Sequence, residues 1–344
     1  MKIVSIVGKK NTGKTSLTVK VIEELTRRGY NVASIKHSHH TMEMDKENTD
    51  TWKHKQAGSN LVVGIGSTTF FNVRKEMDLN RLLFLIKIMN DVDFVVIEGF
   101  KKYNYPKIAT SPEVVDEYTI KEVNSFEITP EGVSELADLI EERGHDIVDT
   151  LFAHNCGFNN GEAISKEIRE GKLKTEELDE IVGYMSIDEK VVGLNRFVSE
   201  YIKQNLIGII NTLNIEDYGV ENVNKIELLI KNEDKLTPSE SSCNISINKT
   251  PLSMNKFVSD IVTNSVTGMV KSLKIDEEMK NIDVNIKNIK DDDVINADIS
   301  IKLNGNYLEI NQFVRGILKE SIFAIIKTLK IDEEIKEIEI NVVD

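Results

Sequence analysis

The chain has 344 residues, with 43 basic and 57 acidic side chains and a formal charge of −14. Residues 1–150 hold 20 of the basic and 23 of the acidic groups, so the remainder carries −11. That balance excludes a broad nucleic-acid or anionic-membrane surface, which needs a basic stripe, and the length suits two or three domains. Two distant cysteines, Cys156 and Cys243, argue against a disulfide framework and for a reducing cytoplasmic setting. No apolar run has the length of a membrane span, and MKIVSIV leads directly into a glycine loop instead of a signal peptide.

The first element is a strand, IVSIV. It is followed by Gly8-Lys9-Lys10-Asn11-Thr12-Gly13-Lys14-Thr15 and an amphipathic helix whose apolar face is Leu17, Val21, Ile22 and Leu25, stopped at Gly29. G-x-x-x-x-G-K-[ST] between a strand and a helix is a phosphate-binding loop. Gly8 and Gly13 let successive amides turn toward phosphate oxygens, and the helix adds its positive end. Lys14 is spaced to reach the β- and γ-phosphates, and the Thr15 hydroxyl to bind Mg²⁺. Lys9 has two readings: a solvated lysine beside an anion, or one that crosses to a partner's phosphates.

A second strand, NVASIKH, ends in His37, His39 and His40, with Asp45 and Asp50 close behind. Ligands of open α/β sheets bind at such C-terminal strand ends. The spacing fits no closed zinc site. The histidines read as donors to phosphate or to an anionic substrate, or as loop residues without a ligand. A further strand (60–67) and a helix (79–90) precede the apolar run Phe94–Ile97, which ends in Glu98-Gly99-Phe100. A carboxylate at that strand tip stands where it binds Mg²⁺ through water or polarises an attacking water. KIAT, the segment 125–128 and a helix over 130–143 complete a β/α alternation, which predicts a mostly parallel sheet wrapped by helices. Residues 1–150 contain no N-K-x-D motif for reading guanine, so the residues alone specify a nucleoside triphosphate with Mg²⁺ and no particular base.

The order of GKKNTGKTSL, SIKHSHH, DTWKHKQAGS and VVIEGFKKYNYPKI, with the closing helix, resembles the MobB family of molybdopterin-guanine dinucleotide biosynthesis over residues 1–143. The resemblance implies a dimeric P-loop GTP-binding protein with weak hydrolysis. It also implies a cytoplasmic accessory role beside a MobA-type guanylyltransferase and molybdopterin or its metal-bound form. Carried onto this sequence, residues Gly8 to Ser16 would bind GTP and Mg²⁺, with Lys14 and Glu98 as the catalytic pair and Thr15 and Glu98 on the metal. His37, His39, His40, Asp50 and Thr51 would line the nucleotide or pterin-phosphate side. Hydrolysis is expected to be slow, because no water-positioning Gln or arginine finger is evident. Three other readings remain: a P-loop kinase of a small molecule, a metallochaperone-type GTPase, and a scaffold whose nucleotide only stabilises a dimer.

Residues 144–182 resemble a small iron–sulfur module in which only Cys156 remains of the thiolates. Ala153 and Gly161 occupy two of the other positions, and a four-iron cluster needs about four thiolates. The expectation is a helical spacer without a cluster. Residues 183–344 contain three repeats, about 183–235, 243–290 and 297–344. Each reads as a hairpin, an asparagine cap (Asn195, Asn255, Asn311), a helix and a closing strand (KIELLIKN, NIDVNIKN, EIEINVV). A ββαβ unit of that size has too little apolar surface to stand alone, and the helix stripes read as packing between repeats. Gly208, Gly268 and Ala324 share one helix position, where another element could approach closely. The whole is expected to be an α/β P-loop domain, a spacer and an α+β repeat domain.

Overall fold

The computed structural model describes residues 1–38, 42, 45–153, 157–158, 160–178, 181–211, 213, 215–230, 242–273, 277–291, 293–329, 331 and 333–343. The chain divides into two compact units, Met1–Arg196 and Phe197–Asp344. Among the described residues no helix is long and apolar enough to cross a membrane.

In the first unit, strand β1 (Lys2–Val7) runs into helix α1 (Lys14–Arg27) and strand β2 (Val32–Lys36), followed by a short helix α2 (Asp50–Gln56). Next come β3 (Leu61–Ile65), β4 (Thr69–Val73), α3 (Leu79–Met89), β5 (Phe94–Glu98), β6 (Lys107–Ala109), β7 (Thr119–Glu122) and α4 (Pro130–Arg143). Five of the strands form one parallel sheet in the order β2-β5-β1-β6-β7. Successive side chains of a strand point to opposite faces. Val4, Ile6, Phe94 and Val96 therefore pack with Leu17, Val21, Leu136 and Ile140 of α1 and α4. Ile3, Val95 and Ile97 pack with Leu79 and Leu83 of α3. Both faces are covered, which is why β1 and β5 read as unbroken apolar runs.

The expected parallel strand at 60–67 is instead half of a separate antiparallel hairpin, β3 with β4. No helix intervenes between them to make a parallel crossover, so the shorter connection wins. The last strand of the sheet is Thr119–Glu122, upstream of the expected 125–128.

Helix α5 (Gly161–Arg169) and the hairpin of β8 (Met185–Ile187) and β9 (Lys190–Val192) belong to this first unit. Beneath short β6, the Ile3 amide donates to the His145 carbonyl, so the chain leaving α4 lies beside β1. Asp146 accepts from the Lys87 ammonium and from the Tyr184 hydroxyl at 2.8 Å. Burial opposes the charge of Asp146, but Lys87 keeps its carboxyl below the ordinary value. The His145 ring is fully buried, and its Nε2 lies 2.7 Å from the Ser165 hydroxyl of α5. Cys156 lies outside the described residues.

The second unit holds α6 (Arg196–Asn211), whose first residue belongs to the first unit, then β10 (Ser242–Ile247), β11 (Thr250–Pro251), α7 (Lys256–Lys271) and β12 (Asn281–Lys287). It ends with β13 (Asp298–Leu303), β14 (Asn306–Tyr307), α8 (Gln312–Lys327) and β15 (Ile338–Val343). Similar hairpin turns and helices recur from residue 185 onward. Each opening hairpin turns on two residues with φ above zero: Asp188-Glu189, Asn248-Lys249 and Asn304-Gly305. Positive φ at both central residues is the turn that matches strand twist. Each helix has 16 residues. Asn255 and Asn311 accept from the amides of Val258 and Val314, as N-caps do.

The strands β11-β10-β15-β12-β13-β14 form one antiparallel sheet. Alternate residues such as Ile245, Val284, Ile301 and Ile340 are buried in one core with Val262, Val266, Ile322 and Ile326 of α7 and α8. At the shared small position, a β-carbon on Gly208 would lie 3.3 Å from the Glu320 backbone, a genuine close approach. Gly268 has open space around it. The first repeat departs from expectation at its end, since 225–230 forms no strand and 231–232 lie outside the described residues.

Burial lowers the pKa of His145 to about 4, from 6.5. Between those values the unfolded chain binds a proton that folded His145 refuses. Stability attributable to this ring is therefore complete above pH 6.5 and falls as the pH drops toward 4, by about 3 kcal/mol over the full span. Urea unfolding followed at the first unit should show about 2 kcal/mol lost from this ring between pH 7 and pH 5, and His145→Gln should flatten that slope.

Candidate functional site

All five strands of the first sheet are parallel, so β1, β2, β5 and β6 end at one edge. The loop after β1 turns there through two residues of positive φ and one glycine in tight packing. Asn11 has φ 61°, Gly13 has φ 72°, and Gly8 packs without room for a side chain. A β-carbon on Gly8 would lie 2.0 Å from Thr110 Oγ1, and one on Gly13 would lie 2.3 Å from Ser125 Oγ. Thr110 follows β6, and its hydroxyl donates to the Val7 carbonyl at 3.2 Å and stands 2.6 Å from the Thr12 hydroxyl. Ser125 Oγ donates to the Thr12 carbonyl, and the Lys9 amide donates to Ser111 Oγ at 3.3 Å. The loop is thus fastened by hydroxyls from neighbouring segments.

The charged groups meet at the ends of α1, β2 and β5. The register of β2 on β5 sets Lys36 opposite Glu98. Glu98 Oε1 accepts from the Lys36 ammonium at 3.0 Å and from the Thr15 hydroxyl at 2.9 Å. The Lys14 ammonium donates to the Lys9 carbonyl. Burial, and then the like charge of Lys101, lower the Lys14 pKa, so the ammonium sits where positive charge is disfavoured until an anion arrives. Lys9 pairs with Glu113 at 2.8 Å, both exposed. Lys10, Asn11, Thr15 and Ser16 are exposed along the loop and the first helical turn.

A hydroxyl and a carboxylate on adjacent elements are hard oxygen donors of the kind Mg²⁺ takes, together with phosphate oxygens and water. Glycines whose β-carbons would fill the turn suit amides that approach a polyanion closely. The residues present therefore fit a magnesium–triphosphate ligand. Among the described residues no group of three or more His, Cys, Asp or Glu could hold a metal by itself.

Of the histidine segment, His37 is placed beside this cluster. Its amide donates to the Glu98 carbonyl at 2.9 Å, and its ring rests on Phe100 with centroids 4.3 Å apart. Gly99 has φ 107°, and a β-carbon there would lie 3.2 Å from His37 Cβ. His39 and His40 lie outside the described residues. Asp50 and Thr51 begin α2, where Asp50 pairs with Lys53 at 3.2 Å and the Thr51 hydroxyl donates to Asp45 at 3.0 Å. The bonds of those two side chains, among the described residues, stay within their own segment.

Sequence reasoning missed Lys36, Thr110, Ser111 and Ser125. Lys36 was legible in principle as the last residue of a strand adjacent to the one ending in Glu98. The three hydroxyl residues carry no motif, and only the fold brings them to the loop.

A family model, molybdopterin guanine dinucleotide synthesis protein B (MobB), matches residues 3–128. A molybdopterin-guanine dinucleotide biosynthesis adapter protein of Haemophilus influenzae is 31% identical over 159 residues, spanning 42% of this chain and 89% of its own length. One of Methanocaldococcus jannaschii, so named provisionally, is 27% identical over 242 residues, 67% of this chain and 97% of that protein. The crystal structure of Bacillus subtilis MobB shares 29% identity, covering 36% of this chain and 77% of its own, with a TM-score of 0.31.

Gly8→Ala should strain the loop against Thr110 by about 1–3 kcal/mol, the usual range for overpacking. Denaturant unfolding should register that loss, and Gly29→Ala, where a β-carbon meets nothing within 4 Å but φ is 93°, should report the backbone cost alone.

Proposed function

We propose, on the premise that the chain belongs to the MobB family, that it is a GTP-binding adapter of molybdopterin guanine dinucleotide biosynthesis with slow, Mg²⁺-dependent hydrolysis. The observation that carries this reading is the joint at Glu98. A carboxylate at one strand tip, a hydroxyl on the helix of the glycine loop and an ammonium on the next strand share one oxygen. That joint is built for exchange. Phosphate oxygens would draw the Lys14 ammonium from the Lys9 carbonyl, and the Thr15 hydroxyl, which donates to Glu98, would be available to a metal ion. Lys36 then supplies a second positive charge to the anion or keeps its hold on Glu98.

Magnesium, when bound, neutralises phosphate charge and polarises the phosphoryl oxygens. Thr15 and Glu98 are the residues that would hold it. Lysines, with no guanidinium fork, make up the positive charge named at this site. Large accelerations by a stabilising arginine are therefore not expected, and turnover should be slow. The partner of the reading is a MobA-type guanylyltransferase acting on molybdopterin or its metal-bound form.

Calorimetry of the full chain with GTP and Mg²⁺ tests the reading. Binding should be measurable and tighter than for ATP, and Lys14→Ala should weaken it by on the order of 100-fold, as loss of a charge-assisted contact does. Glu98→Gln should leave GTP affinity within about tenfold while removing most of the Mg²⁺-dependent turnover, a loss of about 100-fold. Absence of heat with every triphosphate would end the proposal. Phosphate appearing on a pterin acceptor would select the kinase reading instead.

A further inference from the structure

The second and third repeats complete each other. Strand β12 closes the second repeat and β15 the third, and the two pair antiparallel at the centre of the sheet. Their register is nearly symmetric: Ile282 opposes Val342, Val284 opposes Ile340, and Ile286 opposes Ile338. All six side chains are at most 3% exposed. In this pair each repeat supplies what the other lacks, and the count of repeats is three.

The first repeat has a hairpin and a helix like the other two, but among the described residues its closing segment forms no strand. Its hairpin β8–β9 forms a two-stranded sheet of its own. Its closing segment, aligned as KIELLIKN with NIDVNIKN and EIEINVV, places Ile226, Leu228 and Ile230 where the others have Ile282, Val284, Ile286 and Ile338, Ile340, Val342. Those three residues are 37%, 62% and 73% exposed, and Leu229, which stands where the others carry Asn285 and Asn341, is 85% exposed. Four apolar residues of strand-forming sequence thus lie open, in a pattern that is fully buried twice elsewhere in this unit.

We propose that this segment pairs with the same segment of a second copy of the chain. Transferring the β12–β15 register to the first repeat sets residue 226 opposite 230, 227 opposite 229, and 228 opposite itself. A strand that can pair with its own copy about a single central residue meets the requirement of a two-fold interface, in which the same patch serves both partners. The second copy is the fitting occupant because the template on the page is a repeat pairing with a repeat. Of the polar positions, Glu227 would oppose Leu229 of the partner, while the same register sets Lys225 opposite Lys231 at each end of the pair. This inference rests on the repeats and is independent of the nucleotide reading.

The test uses the full chain without nucleotide. Leu228→Cys, with Cys156 and Cys243 changed to alanine, places two thiols opposite each other across the dyad. Directly opposed residues of antiparallel strands have Cα atoms about 4.5–5.5 Å apart, within the disulfide range. Mild oxidation should therefore yield a covalent dimer much faster than Ile295→Cys, an exposed position of the same unit. In the otherwise native chain, sedimentation should show self-association weakened on the order of 100-fold by Leu228→Lys, which opposes two charges at the dyad. Leu228→Met should stay within about threefold of the native value. A monomer at all concentrations overturns the proposal, as does a dimer indifferent to Leu228→Lys, which would be held elsewhere. Cross-linking no faster than at position 295 does the same.

Discussion

The space refused to side chains at Gly8 and Gly13 governs the first unit. Both positions lie against hydroxyl residues, Thr110 and Ser125, at distances no β-carbon tolerates. Because the loop lies so close, its carbonyls at Lys9 and Thr12 and its amide at Lys9 are already engaged by Lys14, Ser125 and Ser111. The turn is therefore set before any ligand arrives, which spares the entropy of ordering it at binding. The same placement directs Thr15 toward Glu98, and Glu98 toward Lys36. The lowered Lys14 pKa follows from this crowding, since a partly desolvated ammonium near Lys101 lacks the counterion that a polyanion would provide.

The residues after α4 matter to this site through the sheet. His145 takes the place beside β1 that short β6 leaves open, and Asp146 draws Lys87 of α3 and Tyr184 to one buried carboxylate. Helix α5 is held by Ile164 and Ile168 against Leu151, and by Arg169 stacked 4.4 Å from the Tyr118 ring centroid. These are ordinary packing and ion pairing. A buried carboxylate deprived of its ammonium is costly, by roughly 3–5 kcal/mol for a broken buried pair. That makes Asp146 and Tyr184 structural dependents of the P-loop sheet.

How much of this was legible depends on the range of the interaction. The glycine loop, its helix and the apolar strands are local patterns of period and motif, and they stand where the sequence placed them. Glu98 was legible because a strand tip is a local feature. Lys36 was missed because its importance arises from strand order: β2 neighbours β5, which lies 58 residues further on, and nothing in either segment announces that pairing. Thr110 and Ser125 were missed for the same reason. The hairpin β3–β4 was misread as one strand of the main sheet, since alternation of apolar residues gives a strand without giving its partner. The repeats were legible to the level of turns and caps, because those are local. Their sheet order was not.

That sheet order explains why the repeat works in pairs. In the order β11-β10-β15-β12-β13-β14, the hairpin strand and closing strand of the second repeat, β10 and β12, are not neighbours. One strand of the third repeat lies between them, and β12 in turn lies between β13 and β15. A single ββαβ unit of this geometry has a gap one strand wide, with unpaired amides and carbonyls on both sides and the apolar face of its closing strand half covered. Such edges are templates for further pairing. Two units fill each other's gap and share one core of helices above a continuous sheet, so the stable object is the pair. Residues 225–230, which form no strand, leave Ile226, Leu228 and Ile230 exposed where Ile282, Val284 and Ile286 of β12 are buried.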